Sequence, residues 1–252
     1  MQLNFLTGYD NESALIDRTE IQSQFWDGEF KLEKLKKKPY YRNVEEFFTE
    51  LDYSLAPSYI DYWASIKPKN DSQLFQRWLF AFMSVHTSWK ANIVGYNAVK
   101  DWWLWLNDWT NLKDRIENSR VGMQNNRVKY LSTFAHKFWS NPEEYKKKDG
   151  ESWHTLRDRL KDKILGLGTA KTSFALEMCY PIEAKVVCLD THMFQAYKLD
   201  QTKDARMYSS IEQHWIDMCS MWRVPPYIAR CLYWDIKQGY SDSRYWSKVL
   251  ET

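Results

Sequence analysis

The stretch ILGLGTAKTS at 164–173 and the later CLDTH at 188–192 hold the residues whose types and spacing best suit chemistry. Gly166 and Gly168 flank Leu167 in a chain with only 8 glycines. Glycines at i and i+2 let the backbone turn tightly with no Cβ in the way. They also bare main-chain N–H groups at the start of a following helix, a seat for an anion such as a phosphate. Alone, Gly-Leu-Gly is equally the mark of a helix C-cap and a turn. Lys171 falls in the first turn of the next helix. It is read as a nucleophile when neutral, or otherwise as a phosphate contact or a surface lysine. Asp190, nineteen residues on, is a plain helix N-cap or a carboxylate that stabilises positive charge beside that lysine.

These residues need helices to position them. TLRDRLKDKIL precedes the glycines, and AKTSFALEMCY follows and stops before Pro181. Val186, Val187 and Leu189 form a short apolar segment, and THMFQAY starts another helix with Thr191 as its first-turn cap. His192 is expected to be structural. Upstream, Asn70 or Asp71 caps a helix whose apolar positions run Leu74, Phe75, Trp78, Leu79 and Phe82. That helix breaks at Ser84–Ser88, where hydroxyls cap a new one from Trp89. Gly122 and the Asn125–Asn126 pair punctuate the chain before a helix with Val128, Leu131, Phe134 and Ala135 on one side. A polar connector covers Asn141–Ser152, and SSIEQHWIDMCSMW and VPPYIARCLYWDIKQGY supply the last helices. With 8 Gly and 7 Pro in 252 residues, too few for the turns of a β fold, the chain is predicted to be all-α.

The bulk composition narrows the classes. Charged residues are 27% and hydrophobic ones 44%, as in ordinary globular proteins. A net charge of +2 means that any basic face is local. The densest basic run, Lys31–Arg42, reads as a solvated helix end. The 14 tryptophans serve cores or stack on bases. Trp102, Trp103, Trp105 and Trp109 are expected in the core, as are Tyr227, Tyr233 and Trp234. Cys179, Cys188, Cys219 and Cys231 contain no CxxC, so neither a zinc nor a redox signature is present. Cys179 and Cys188 are expected to pack as small hydrophobes. No signal peptide and no apolar run of about 18 residues is found, which predicts an intracellular protein with no membrane span.

Taken in order, the motifs resemble the helix-hairpin-helix DNA glycosylase superfamily, typified by endonuclease III and 8-oxoguanine glycosylases. Leu165, Gly166, Leu167 and Gly168 match its hairpin, and Asp190-Thr191-His192 matches its Asp-Thr-His stretch, followed by apolar Met193, Phe194 and Ala196. RWLFAFMSVHTSWKANIVGYNAV resembles the first barrel helix and the turn that probes DNA, with His86 where members carry a Gln or Asn. VGMQNNRVKYLSTFA resembles the Gly-x-x-Asn-x-[Lys/Arg] turn through Gly122, Asn125 and Arg127. The match spans about Phe75 to Tyr197. Two departures stand out. Lys171 lies three residues after Gly168 where the family lysine lies two after. One residue on a helix is a rotation of about 100°, so the hairpin must bulge for Lys171 to face the pocket. The segment VPPYIARCLYWDIKQG matches nothing in the family pattern.

The resemblance implies two helical subdomains with a DNA-binding cleft between them: 1–70 with 198–252, and a barrel over 71–197 whose hairpin covers about 155–180. It implies a DNA glycosylase with AP lyase action on duplex DNA, working as a monomer. The base is flipped out, and His86 takes its place in the stack. The amides of Gly166, Leu167, Gly168, Thr169 and Ala170 hold a phosphate, and Asn125 and Arg127 contact DNA. Lys171 attacks C1′ while Asp190 stabilises the sugar cation. No cofactor is required. Hairpin carbonyls suit a monovalent cation, and Cys219 and Cys231 are too few and too far apart for the iron–sulfur cluster of some relatives. Two other functions are compatible with the scaffold: a phage-type enzyme that transfers an amine or amino acid to hydroxymethylated thymine, and a non-catalytic hairpin module. The pairing of Lys171 with Asp190 argues against the latter.

Overall fold

A computed structural model of the chain describes residues 39–239 and 242–251. Lys31–Lys38, the bulk of the basic run, lies outside the described residues. Eleven α-helices follow one another, with no strand among the described residues. They are α1 (Arg42–Glu50), α2 (Ala56–Ser65), α3 (Asp71–Met83), α4 (Trp89–Val99), α5 (Trp109–Ser119), α6 (Gln124–Ser140), α7 (Trp153–Lys163), α8 (Thr169–Cys179), α9 (Thr191–Ala196), α10 (Tyr208–Met221) and α11 (Pro226–Gln238). A 3-10 segment, Ser243–Leu250, closes the described chain. No helix is long and apolar enough to cross a membrane.

Local chemistry sets the helix starts. The Asn70 side chain accepts from the Gln73 N–H at 2.9 Å to open α3, and Ser88 caps α4, as the sequence predicts. Pro226 opens α11 at a position where a missing N–H costs nothing. At α9 the cap is Asp190, not Thr191. The Asp190 carboxylate accepts the Met193 N–H at 3.0 Å, while the Thr191 hydroxyl donates to Gln201.

Helix α3 is the hub, buried from Leu74 to Met83 and packed on α4, α6 and α8. Phe75 stacks on Phe134 of α6 at 5.4 Å between centroids, and Phe80 meets Tyr96 of α4 and Phe174 of α8. Each such buried ring contributes roughly 1.5–3 kcal/mol. From the two ends of the described chain, α1 packs on α10 and α2 on α11. All four cysteines are buried and free, so Cys179 and Cys188 do pack as small hydrophobes.

The tryptophan stripe divides. Trp102 stacks on Trp139 at 4.1 Å, and the buried Trp105 donates its indole N–H to the Val99 carbonyl. Trp103 and Trp109 are 57% and 64% exposed, contrary to expectation. Trp103 lies in the 3-10 turn before α5 and Trp109 opens α5, and both stand among exposed neighbours. Tyr227 is in the core, while Tyr233 and Trp234 are half-buried beside α9.

Candidate nucleic-acid interface and excision site

The hairpin occupies 164–168 between α7 and α8. Ile164 and Leu167 plug into the core, and Leu165 is 52% exposed. The two glycines answer different needs. Gly166 sits at φ +90°, and a Cβ there would lie 2.4 Å from Cδ2 of Tyr130. Gly168 has an ordinary extended φ of −84°, and a Cβ there would meet nothing within 4 Å. The protein's own packing therefore requires glycine at 166 but not at 168. At 168 the bare backbone serves whatever approaches the first N–H groups of α8.

Lys171 stands in the first turn of α8, half-buried, with Nζ 5.7 Å from the Phe174 ring centroid. Asp190 heads α9 from the other side of a buried, non-helical segment. Burial pushes the Cys188 thiol up to about 12. The charges of Arg230 and Lys171 oppose that shift, and those of Glu177 and Asp190 add to it. All four groups thus act on one buried point. Near Asp190, the His192 ring meets Trp234 edge-on at 4.8 Å, consistent with a structural role. Burial, reinforced by Asp190, also raises Tyr233.

The segment that carries Asp190 is pinned by groups the sequence reading missed. Glu212 accepts the Val187 N–H at 2.8 Å and pairs with Arg157 of α7. Glu177 accepts the Cys188 N–H at 3.1 Å and pairs with Arg230 of α11. The Tyr208 hydroxyl donates to the Val187 carbonyl at 2.6 Å. Both carboxylates are buried, and buried charges persist only when paired and hydrogen-bonded. A lone glutamate inside FALEMC was the available signal.

His86 lies at the tip of the α3–α4 turn, exposed, in the left-handed region at φ +50°. Asn125 is exposed in the first turn of α6. Arg127 corrects the expectation of a DNA contact. It is only 4% exposed, and its guanidinium donates to the carbonyls of Phe82 at 2.7 Å, Val85 at 2.6 Å and Gly122 at 3.0 Å. Burial lowers its pKa, but an arginine remains charged at any physiological pH. Arg127 therefore fastens the His86 turn to the turn at Gly122–Met123. Gly122 and Met123 both have positive φ, and Met123 is 41% exposed. Neither type nor spacing marks Met123 in the sequence.

Among the described residues, no group of three or more His, Cys, Asp and Glu is placed to hold a metal ion. From Ile164 to Gly168 no side chain carries oxygen. A hard monovalent cation would find only main-chain carbonyls there.

No family model matches the chain, and no curated protein matches it. Two solved structures do. One is the Methanocaldococcus jannaschii 8-oxoguanine DNA glycosylase, at 17% identity and a TM-score of 0.62, over 79% of this chain and 93% of that one. The other is the 8-oxoguanine glycosylase/lyase of that organism in complex with a 15mer DNA containing 8-oxoguanine, at 16% identity and a TM-score of 0.59, over 79% and 96%. These likenesses establish the fold. The chain has the helical architecture of a DNA glycosylase, as the resemblance in its motifs implied.

Proposed function

We propose that this chain is a DNA glycosylase with AP lyase activity that flips a damaged or modified base out of duplex DNA and excises it. One observation carries the reading. On a glycosylase-like fold, Lys171 in the first turn of α8 and Asp190 at the head of α9 both act electrostatically on the buried Cys188. The bare N–H groups at Gly168–Ala170 receive a backbone phosphate, and a monovalent cation on the hairpin carbonyls would add positive charge beside it. His86 and Met123, on turns fastened by Arg127, enter the stack where the base has left, an imidazole and an apolar wedge. Asn125 contacts the backbone.

As the C1′–N bond breaks, its electron pair leaves with the base and positive charge builds on the sugar. Asp190 stabilises that charge. The neutral Lys171 amine adds to C1′, and loss of its proton with opening of the sugar ring gives an imine. Loss of a C2′ proton then expels the 3′ phosphate and nicks the strand. No cofactor takes part, and one chain suffices.

Borohydride trapping tests this. Duplexes carrying 8-oxoguanine, oxidised pyrimidines, uracil, hydroxymethyluracil or an abasic site are incubated with wild type, Lys171→Ala and Asp190→Ala. The expected result is a covalent adduct with wild type that is absent with Lys171→Ala. Base release without any adduct would leave a glycosylase that uses water. Neither base release nor an adduct on any duplex would overturn the excision reading, and amine transfer to hydroxymethylated DNA would be assayed next.

A further inference from the structure

Glu177 lies six residues beyond Lys171 on α8 and is fully buried. Its Oε1 accepts Arg230 Nε–H at 2.9 Å and its Oε2 accepts Arg230 Nη2–H at 2.6 Å, a forked pair. Oε1 also accepts the Cys188 N–H at 3.1 Å. The Cys188 carbonyl in turn accepts the Asp190 N–H at 3.1 Å. One carboxylate therefore joins three pieces of chain: the helix carrying Lys171, the segment ending in Asp190, and α11. A second contact runs through Phe174. Its ring lies 5.7 Å from Lys171 Nζ and 5.4 Å from Arg230 Cζ, so α11 also reaches the side chain under the lysine. Apolar residues of the same volume often hold helices as well as a buried ion pair does. Here they would leave the Cys188 N–H without its acceptor, so what the ions add is a fixed hydrogen-bond geometry at that N–H.

We infer that Glu177 and Arg230 are a positioning pair that sets the offset between Lys171 and Asp190. The inference rests on the excision reading and assigns a task to the C-terminal helix that the family motifs leave unexplained. Reacting groups displaced by about 1 Å lose on the order of 100-fold in rate.

The test compares Glu177→Gln and Arg230→Lys with a control, Arg77→Met. Arg77 is an equally buried arginine whose bonds go to the Leu250 and Ile66 carbonyls. Single-turnover adduct formation on abasic duplex, affinity for an uncleavable abasic analogue, and thermal melting are measured on each. Glu177→Gln is expected to slow the adduct about 10- to 100-fold with affinity changed less than about threefold. Arg230→Lys keeps the charge but loses the fork, so it falls between Glu177→Gln and wild type and serves if Glu177→Gln does not fold. Arg77→Met melts lower but forms adduct within about threefold of wild type. Wild-type rates in folded Glu177→Gln or Arg230→Lys, or losses that follow melting temperature in all three, overturn the proposal alone. Absence of adduct in the wild type overturns the proposal, and absence of base release as well overturns the excision reading with it.

Discussion

Gly166 and Gly168 give the sharpest test of the hairpin, because the structure assigns them opposite consequences. An alanine at 166 must hold φ +90°, which costs about 1–2 kcal/mol for an L-residue. Its Cβ would stand 2.4 and 2.8 Å from two Tyr130 ring atoms, and overpacking of this kind costs about 1–3 kcal/mol. The less flexible unfolded chain returns about 0.4–1 kcal/mol. The net loss is roughly 1–4.5 kcal/mol, and each kcal/mol lowers the melting temperature by about 2–4 °C for a chain of this size. Alanine at 168 meets no atom and no backbone strain, so only its poorer capping counts, at about 1 kcal/mol or less. Its methyl group stands where a phosphate would approach, and affinity for duplex DNA falls about tenfold, near 1.4 kcal/mol. The measurements are thermal melting and equilibrium binding to an abasic-analogue duplex at fixed salt. Putting Gly166→Ala into Tyr130→Ala should recover the packing part and leave the strain. If Gly168→Ala binds DNA as wild type does, the amides of α8 hold no phosphate. If Gly166→Ala melts as wild type does, the seating of the hairpin on Tyr130 is wrong.

Asp190→Asn separates capping from chemistry, since asparagine caps as well as aspartate. Melting should move by less than about 0.5 kcal/mol while single-turnover base release falls about 100-fold or more; an active Asn variant would leave Asp190 as a cap only. Arg127→Met strips donors from three carbonyls and should cost about 3 kcal/mol in urea unfolding, with DNA affinity lost in proportion as the His86 and Met123 turns loosen. His86→Gly relieves a positive φ and should raise stability by about 0.5–1 kcal/mol while weakening binding to duplexes with an abasic site. The hydrogen bond from Arg159, with burial opposing it, holds the Glu151 carboxyl below its ordinary value. That pair stabilises the fold fully above the ordinary carboxylate value of about 4.3 and loses its contribution as pH falls through the lowered one. Glu151→Gln should therefore melt lower at neutral pH, by about 1 kcal/mol or less given its partly exposed partner, and the gap to wild type should close as pH falls through the lowered value.

What the sequence made legible was local. Asn70 and Ser88 announce helix starts because a cap needs only the next three residues. The hairpin shows because a positive φ at 166 selects glycine within a stretch of five residues. The Lys171–Asp190 pair is named by motif order. What escaped is set by contacts between distant residues. Arg127 follows two polar asparagines at a helix start and reads as a surface cation. Only the fold brings the Phe82, Val85 and Gly122 carbonyls to converge on it, 42 and 45 residues from two of them. Trp103 and Trp109 share the type and the neighbourhood in sequence of Trp102 and Trp105, yet are exposed. Glu177 and Arg230 lie 53 residues apart, and α8 is buried on nearly all sides from Thr172 to Cys179, so no polar stripe distinguishes the glutamate. A charge that no periodicity excuses is itself the clue. A fully buried helix leaves a carboxylate no route to water, so an arginine from elsewhere must reach it, and that partner reveals which remote segment the site depends on. Here the partner comes from α11, the segment with no counterpart in the family motifs. The residues proposed to react are named by motif order, while those proposed to hold them are legible from the cost of burying charge.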